Sequence, residues 1–217
     1  MACLLEGDIL LLLGSRLVSN VICCLSGGYS HIAMVLEFDG RLYACHSTPN
    51  PASVVSLFGD VHSGVMATLI DDMVGSNMYT CIDVYRSSMI RKSAIENAKD
   101  IFIDSYGKPF EKNCMAMVCA LCECCPIVTD NSIFCSELVG KMMTQLSPEN
   151  PHMTLPSSFI DIDGMRIVGH LALPPPGCWL CNFSEVAAKP LSMDEAARRR
   201  KVLRQRHLKT NMAIHRP

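Results

Sequence analysis

An α+β domain is the fold class this sequence predicts, on three observations. Apolar runs of strand length are bounded by turn signals, as in "SHIAMVLEF" followed by Asp39-Gly40. A longer stretch, "SSMIRKSAIENAKDIFIDSYG", carries its apolar residues at helical spacing. The two kinds of element mix without the β-α-β alternation that builds a parallel sheet. With 217 residues, 49% hydrophobic and 18% charged, the chain can bury one good-sized core and is not composed like a disordered one. The expected organisation is one domain over residues 1–182 and a basic C-terminal extension over residues 183–217.

Taken in order, "GDILLLLGS" reads as a buried strand, because an apolar run of that length with no alternation fits a strand covered on both faces. "LVSNVICCLSGG" (17–28) reads as a short helix stopped by Gly27 or Gly28. "SHIAMVLEF" and "RLYACHS" read as a hairpin through Asp39-Gly40, and Pro49 and Pro51 then break the ladder. "VVSLFGDV" and "GVMATLI" are weaker strand candidates than "YTCIDVYR". The helix of "SSMIRKSAIENAKDIFIDSYG" is expected to take Ser87 or Ser88 as its cap and Gly107 as its stop. "NCMAMVCALCECC" reads as an apolar helix ended by Pro126, and a second helix runs from Cys135 to about Gln145. "PENPHMTLPSS" reads as a loop, and "IDIDGMRIVG" as a late hairpin around Asp163-Gly164.

The net charge of −2 hides an asymmetry. Residues 189–217 carry nine Lys/Arg against two Asp/Glu, and the rest carry ten against nineteen. No signal peptide is expected, because "ILLLLG" is short, follows Glu6 and Asp8, and lacks a basic flank. No apolar run approaches the length of a membrane span. Thirteen cysteines, an odd number, point to free thiols in a reducing, cytoplasmic compartment rather than to a disulfide scaffold.

Among those cysteines, Cys135 stands out in "DNSIFCSELVG", because Ser-Glu-Leu-Val after it opens a helix. A helix start is electropositive and favours thiolate, the nucleophilic form. Thiol chemistry also needs an imidazole to carry the proton and a polar group to orient it. His31 opens the strand "HIAMV" just after a Gly-Gly-Tyr-Ser loop, and His46 lies on the hairpin partner strand within reach if register allows. His62, His152 and His170 lack a distinctive context, and His207 and His215 lie in the basic tail. A lone Cys at a helix start, or a lone His on a strand, is ordinarily structural, so chemistry alone does not single out this set.

Four segments in a fixed order do more. "LLEGDILLL", "YSHIAMVLEFDGRLYACHS", "YGKPFE" and "FCSELVGKMM" resemble the circularly permuted papain-like hydrolases of the NlpC superfamily, the YaeF/YiiX-like group. That group is similar to lecithin:retinol acyltransferase and includes small proteins of poxviruses and other large DNA viruses. The resemblance covers about residues 4–165, and its His-before-Cys order belongs to the permuted branch. It implies an antiparallel sheet packed on helices, Cys135 as nucleophile, His31 as base, and the Cys135 backbone N–H as oxyanion donor. Many YiiX-like members have Glu at the third position. Here "ACHS" puts His46 there, as in the His-His-Cys arrangement of the acyltransferase branch. The implied reaction is acyl transfer through a thioester, on a peptide or lipid acyl substrate, without a cofactor. A catalytically silent interaction module on the same fold is the alternative.

The remaining motifs are secondary. Cys119-x-x-Cys122 and Cys178-x-x-Cys181 have paired spacing, but the first lies in an apolar run and the pairs stand far apart, so buried free thiols are expected rather than a zinc site. The Cys122, Cys124 and Cys125 cluster also suits S-acylation at a membrane. "SMDEAARRRKVLRQRHLKT" opens with a capping box, Ser192 to Glu195, and continues as a basic helix. Such a segment suits an anionic membrane surface or nucleic acid, or a place in a virion, and lacks the aromatics that stack on bases.

Overall fold

The computed structural model describes residues 3–14, 28–49, 57, 63–76, 78–111, 131–144 and 155–172. These all fall within one compact unit, Met1–Cys181. Strands β1 (Ile9–Gly14), β2 (His31–Phe38), β3 (Arg41–Thr48), β4 (Gly64–Leu69), β5 (Tyr79–Ser87) and β6 (Met165–Ala172) form one antiparallel sheet in the order β4-β3-β2-β1-β5-β6. Helices α1 (Ile70–Gly75), α2 (Lys92–Ser105) and α3 (Cys135–Met142), with a 3-10 turn at Pro156–Asp161, complete the α+β architecture.

Both faces of the sheet are covered, which is why β1 is apolar throughout. Ile9 and Leu11 face one core with Ile32, Met34 and Leu36 of β2, Phe102 of α2 and Leu138 of α3. Leu10 and Leu12 face the other core with Ala33, Val35, Ile82 and Val84, closed by Ile70 and Met73 of α1. Completely buried side chains such as Phe102 and Leu138 each contribute on the order of 2–3 kcal/mol. The β2–β3 hairpin turns at Asp39 and Gly40, both at positive φ (50° and 73°), the geometry for which a two-residue Asp-Gly turn is suited. Among the described residues no helix is long and apolar enough to cross a membrane.

Three expectations need correction. Ser87 does not cap α2: it pairs with Met165 in the sheet, so the helix begins later, at Lys92, with Arg91 extended before it and no side-chain cap. The long-range ladder outcompetes the local cap. The α3 helix ends at Met142, short of Gln145, with a turn at Met143 and Thr144. The late hairpin is absent: Pro156–Asp161 coils as 3-10, and β6 pairs with β5 instead. The helices expected at 17–28 and 113–125, most of "VVSLFGDV", both Cys-x-x-Cys pairs and the basic extension lie outside the described residues.

One close approach fixes the region before α3. Gly64, at φ 130°, lies so near the 107–109 turn that a Cβ there would fall 2.1 Å from the Lys108 carbonyl oxygen. Val65 N–H donates to that carbonyl (2.9 Å) and Gly107 N–H to the Val65 carbonyl (3.1 Å). The turn is thereby sewn to the edge strand β4.

Candidate active site

The segment that presents Cys135 is held from three sides. Ile133 N–H donates to the Pro109 carbonyl (3.1 Å), Glu111 N–H reaches the Ile133 carbonyl (3.5 Å), and Ser47 Oγ donates to the same carbonyl (2.7 Å). Phe134 is extended and its carbonyl accepts from Leu138 N–H (3.0 Å), which starts α3 at Cys135. The N–H groups of the first helical turn therefore have no acceptor inside the helix.

The other half of the site comes from a place where the sheet opens. β2 pairs with β1 down to His31, and β3 pairs with β4 down to Thr48. The ladder between β2 and β3, however, stops at Met34↔Cys45. Val35 N–H donates to the Asp8 carbonyl, so odd-numbered residues of β2 bond toward β1 and even-numbered ones toward β3. Ile32 N–H thus points into the unpaired side, and it donates to the Cys135 sulfur.

Across the same opening, His31 Nε2 and His46 Nδ1 lie 2.7 Å apart, and His46 Nε2 lies 3.0 Å from Thr68 Oγ1. All three side chains are buried or nearly so, with His31 at 7% and His46 at 3% exposure. Tyr79 lies flat against the His31 ring, at 5.8 Å between centroids and 12° between planes. The structure thus brings His31 and His46 into direct contact. It joins Cys135 to Ile32, the neighbour of His31, rather than to an imidazole: no hydrogen bond between the thiol and either ring is present among the described residues.

Electrostatics revise one expectation. The helix start is present, but burial outweighs it and pushes the Cys135 thiol up to about 11, against the smaller pull of the N–H groups of Ile32, Ser136 and Cys135. The resting thiol is neutral. Burial lowers His46 to about 4. Burial, and then the neighbouring His46, hold His31 well below the ordinary imidazole value. The site is an uncharged thiol beside two uncharged imidazoles.

Two residues escaped the sequence reading. Thr68 carries the hydrogen-bond chain one strand further, and its only signal is its place among alternating residues of β4. Tyr79 reaches His31 through a bulge, which no local pattern announces. A second polar cluster was equally hidden. Asp83, 1% exposed, accepts from Tyr29 O–H, from Cys81 S–H (3.2 Å) and from His170 Nδ1 (2.5 Å), its register partner on β6.

No family model and no curated protein matches the chain. A solved structure does: the metalloprotein YiiX from Escherichia coli O157:H7, at 14% identity and a TM-score of 0.51, covering 78% of this chain and 98% of that one. The fold is similar to that of YiiX. An antiparallel six-stranded sheet with helices agrees with the YiiX-like resemblance read from the four ordered segments. At this identity the likeness to YiiX carries the fold alone, so the chemistry rests on this chain's own residues.

Proposed function

We propose that the chain is a cysteine-dependent acyl hydrolase or acyltransferase on a circularly permuted papain-like scaffold, acting on amide or ester carbonyls of a peptide or lipid. The observation that carries the reading is the chain Thr68–His46–His31, which ends one residue from the N–H that holds the Cys135 sulfur. With His46 Nε2–H donating to Thr68, His46 Nδ1 accepts from His31 Nε2–H. That tautomer leaves the lone pair of His31 Nδ1 to take the thiol proton. His46 is a positioning residue, and Cys135 and His31 are the catalytic pair.

Because both partners rest neutral, proton transfer accompanies attack. As the Cys135 sulfur bonds to the carbonyl carbon, its proton passes to His31 and the carbonyl oxygen becomes an oxyanion, with the Cys135 N–H as donor. Collapse of the intermediate expels the amine or alcohol, which takes the proton from His31. Water or an acceptor, deprotonated by His31, then releases the acyl group from the thioester.

YiiX is described as a metalloprotein. The described residues at this site do not fit a metal: no group of three or more His, Cys, Asp or Glu among them is arranged to hold one, and the facing nitrogens of His31 and His46 bond to each other. No step runs through a metal. The basic extension is assigned a role in location, on an anionic membrane surface or nucleic acid, and not in the chemistry.

The silent interaction module has one observation in its favour, the neutral buried thiol. Incubation with p-nitrophenyl esters and peptidyl or lipid acyl probes, followed by intact mass and peptide mapping, decides between the readings. Acylation at Cys135, absent in His31→Gln, is expected. Unlabelled protein, or label spread over other cysteines, would overturn the enzyme reading.

A further inference from the structure

Tyr79 has a position that the proposed chemistry has not yet used. On β1, Leu12 stands opposite both His31 of β2 and Ile82 of β5. The next pairs on the β5 side are Leu13↔Cys81 and then Gly14↔Tyr79, with a bulge between them. The extra residue, Thr80, inverts the alternation. Without it Tyr79 would share the face of Cys81 and Asp83. With it, Tyr79 shares the face of Leu12 and His31 and packs against the core beneath α1. Gly14, between the two strands, carries no side chain to hold the rings apart. Bulges that re-aim one side chain are a recurrent device beside active sites.

The ring so placed is partly buried, and its hydroxyl makes no hydrogen bond among the described residues. Tyr29, by contrast, delivers its hydroxyl to Asp83. Among the described residues only Ser63 Oγ is buried without a partner, so the Tyr79 hydroxyl, on a ring stacked against the candidate base, is open to a group that arrives later.

We propose that the Tyr79 hydroxyl is a second oxyanion donor, which meets the carbonyl oxygen of an acyl substrate as the Cys135 sulfur attacks. The inference rests on the acyl-transfer reading above and adds a donor to it. Burial first, and then the nearby Cys135 sulfur, raise the pKa of Tyr79, so the phenol keeps its proton throughout the working pH range and remains a donor. Its stacked ring also sets the tilt of His31. The ring and the hydroxyl therefore separate into two testable roles.

The test uses the full chain and two probes with different transition states. Acylation by p-nitrophenyl acetate passes through an oxyanion, whereas alkylation by iodoacetamide is a displacement at saturated carbon and forms none. Tyr79→Phe keeps the ring and removes the hydroxyl. Its acylation rate constant at saturating ester should fall by about 10²-fold, the usual loss of one oxyanion donor, with KM and the rate of alkylation at Cys135 changed by less than about twofold. Tyr79→Leu should slow acylation further, because His31 loses its stacking partner. Wild-type acylation by Tyr79→Phe overturns the proposal, and so does a loss shared equally by both probes. A wild-type protein that is alkylated at Cys135 but never acylated overturns the hydrolase reading itself.

Discussion

Two histidine-containing clusters lie in this one sheet, one around the buried carboxylate of Asp83 and one around the buried rings of His31 and His46, and they are built on opposite principles. Around Asp83, a carboxylate gathers donors from Tyr29, Cys81 and His170. Those bonds fill both of its oxygens, and they fasten the edge strand β6 and the segment before β2 to β5. Around His31 there is no formal charge. The chain His31–His46–Thr68 passes one proton position along and ends on a ring nitrogen with no partner among the described residues. A saturated cluster holds structure together. An unsaturated one, next to a thiol, has capacity left for a reaction. Counting titratable residues would rank the Asp83 cluster first; counting unfilled positions ranks the His31 cluster first.

The comparison breaks most sharply under substitution of the proposed reacting groups. Cys135→Ala and His31→Gln should each reduce ester turnover by about 10³-fold or more, with thermal midpoints near that of the wild type. Asp83→Ala should do the reverse. Depriving two buried donors, Tyr29 and Cys81, of this acceptor should cost about 2–4 kcal/mol in urea unfolding, while the rate constant per folded molecule stays within a few-fold. Equal losses of activity from the two clusters would show that they do not divide the labour in this way.

Acid sharpens the contrast. The folded pKa of His46 is about 4 and the ordinary value is 6.5, so the unfolded chain takes up a proton that the folded one refuses. The stability this represents is complete above 6.5 and is lost as pH falls toward about 4, for a total of about 3 kcal/mol. His46→Gln should flatten that part of the unfolding profile. An unchanged slope would mean that His46 is charged in the folded protein. The smallest effect belongs to Thr68→Val, which removes the end of the chain but keeps the shape. A two- to tenfold fall in turnover with a shifted acid limb is expected, in line with the ~1 kcal/mol of one neutral hydrogen bond.

Much of this was legible along the chain, for reasons that can be named. The hairpin β2–β3 announces itself because Asp39-Gly40 and the alternating runs on either side are local signals, and the resemblance of four ordered segments places His31, His46 and Cys135 on the elements where they are found. What stayed hidden depends on distance or on burial. The partner of β6 is β5, nearly eighty residues earlier, so no turn signal could reveal it. Tyr79 owes its face to one inserted residue in a ladder. The helix start at Cys135 was legible, but the burial that neutralises its thiol is a property of the packed molecule.

Gly64 takes part in no chemistry, yet a side chain there would drive into the Lys108 carbonyl, in the turn that leads to Pro109 and so to Ile133 and Cys135. In a library of random single substitutions selected for loss of function, this glycine should therefore recur beside Cys135 and His31. The mutational footprint of the site would be wider than its reacting atoms, and it would include a residue with no side chain at all.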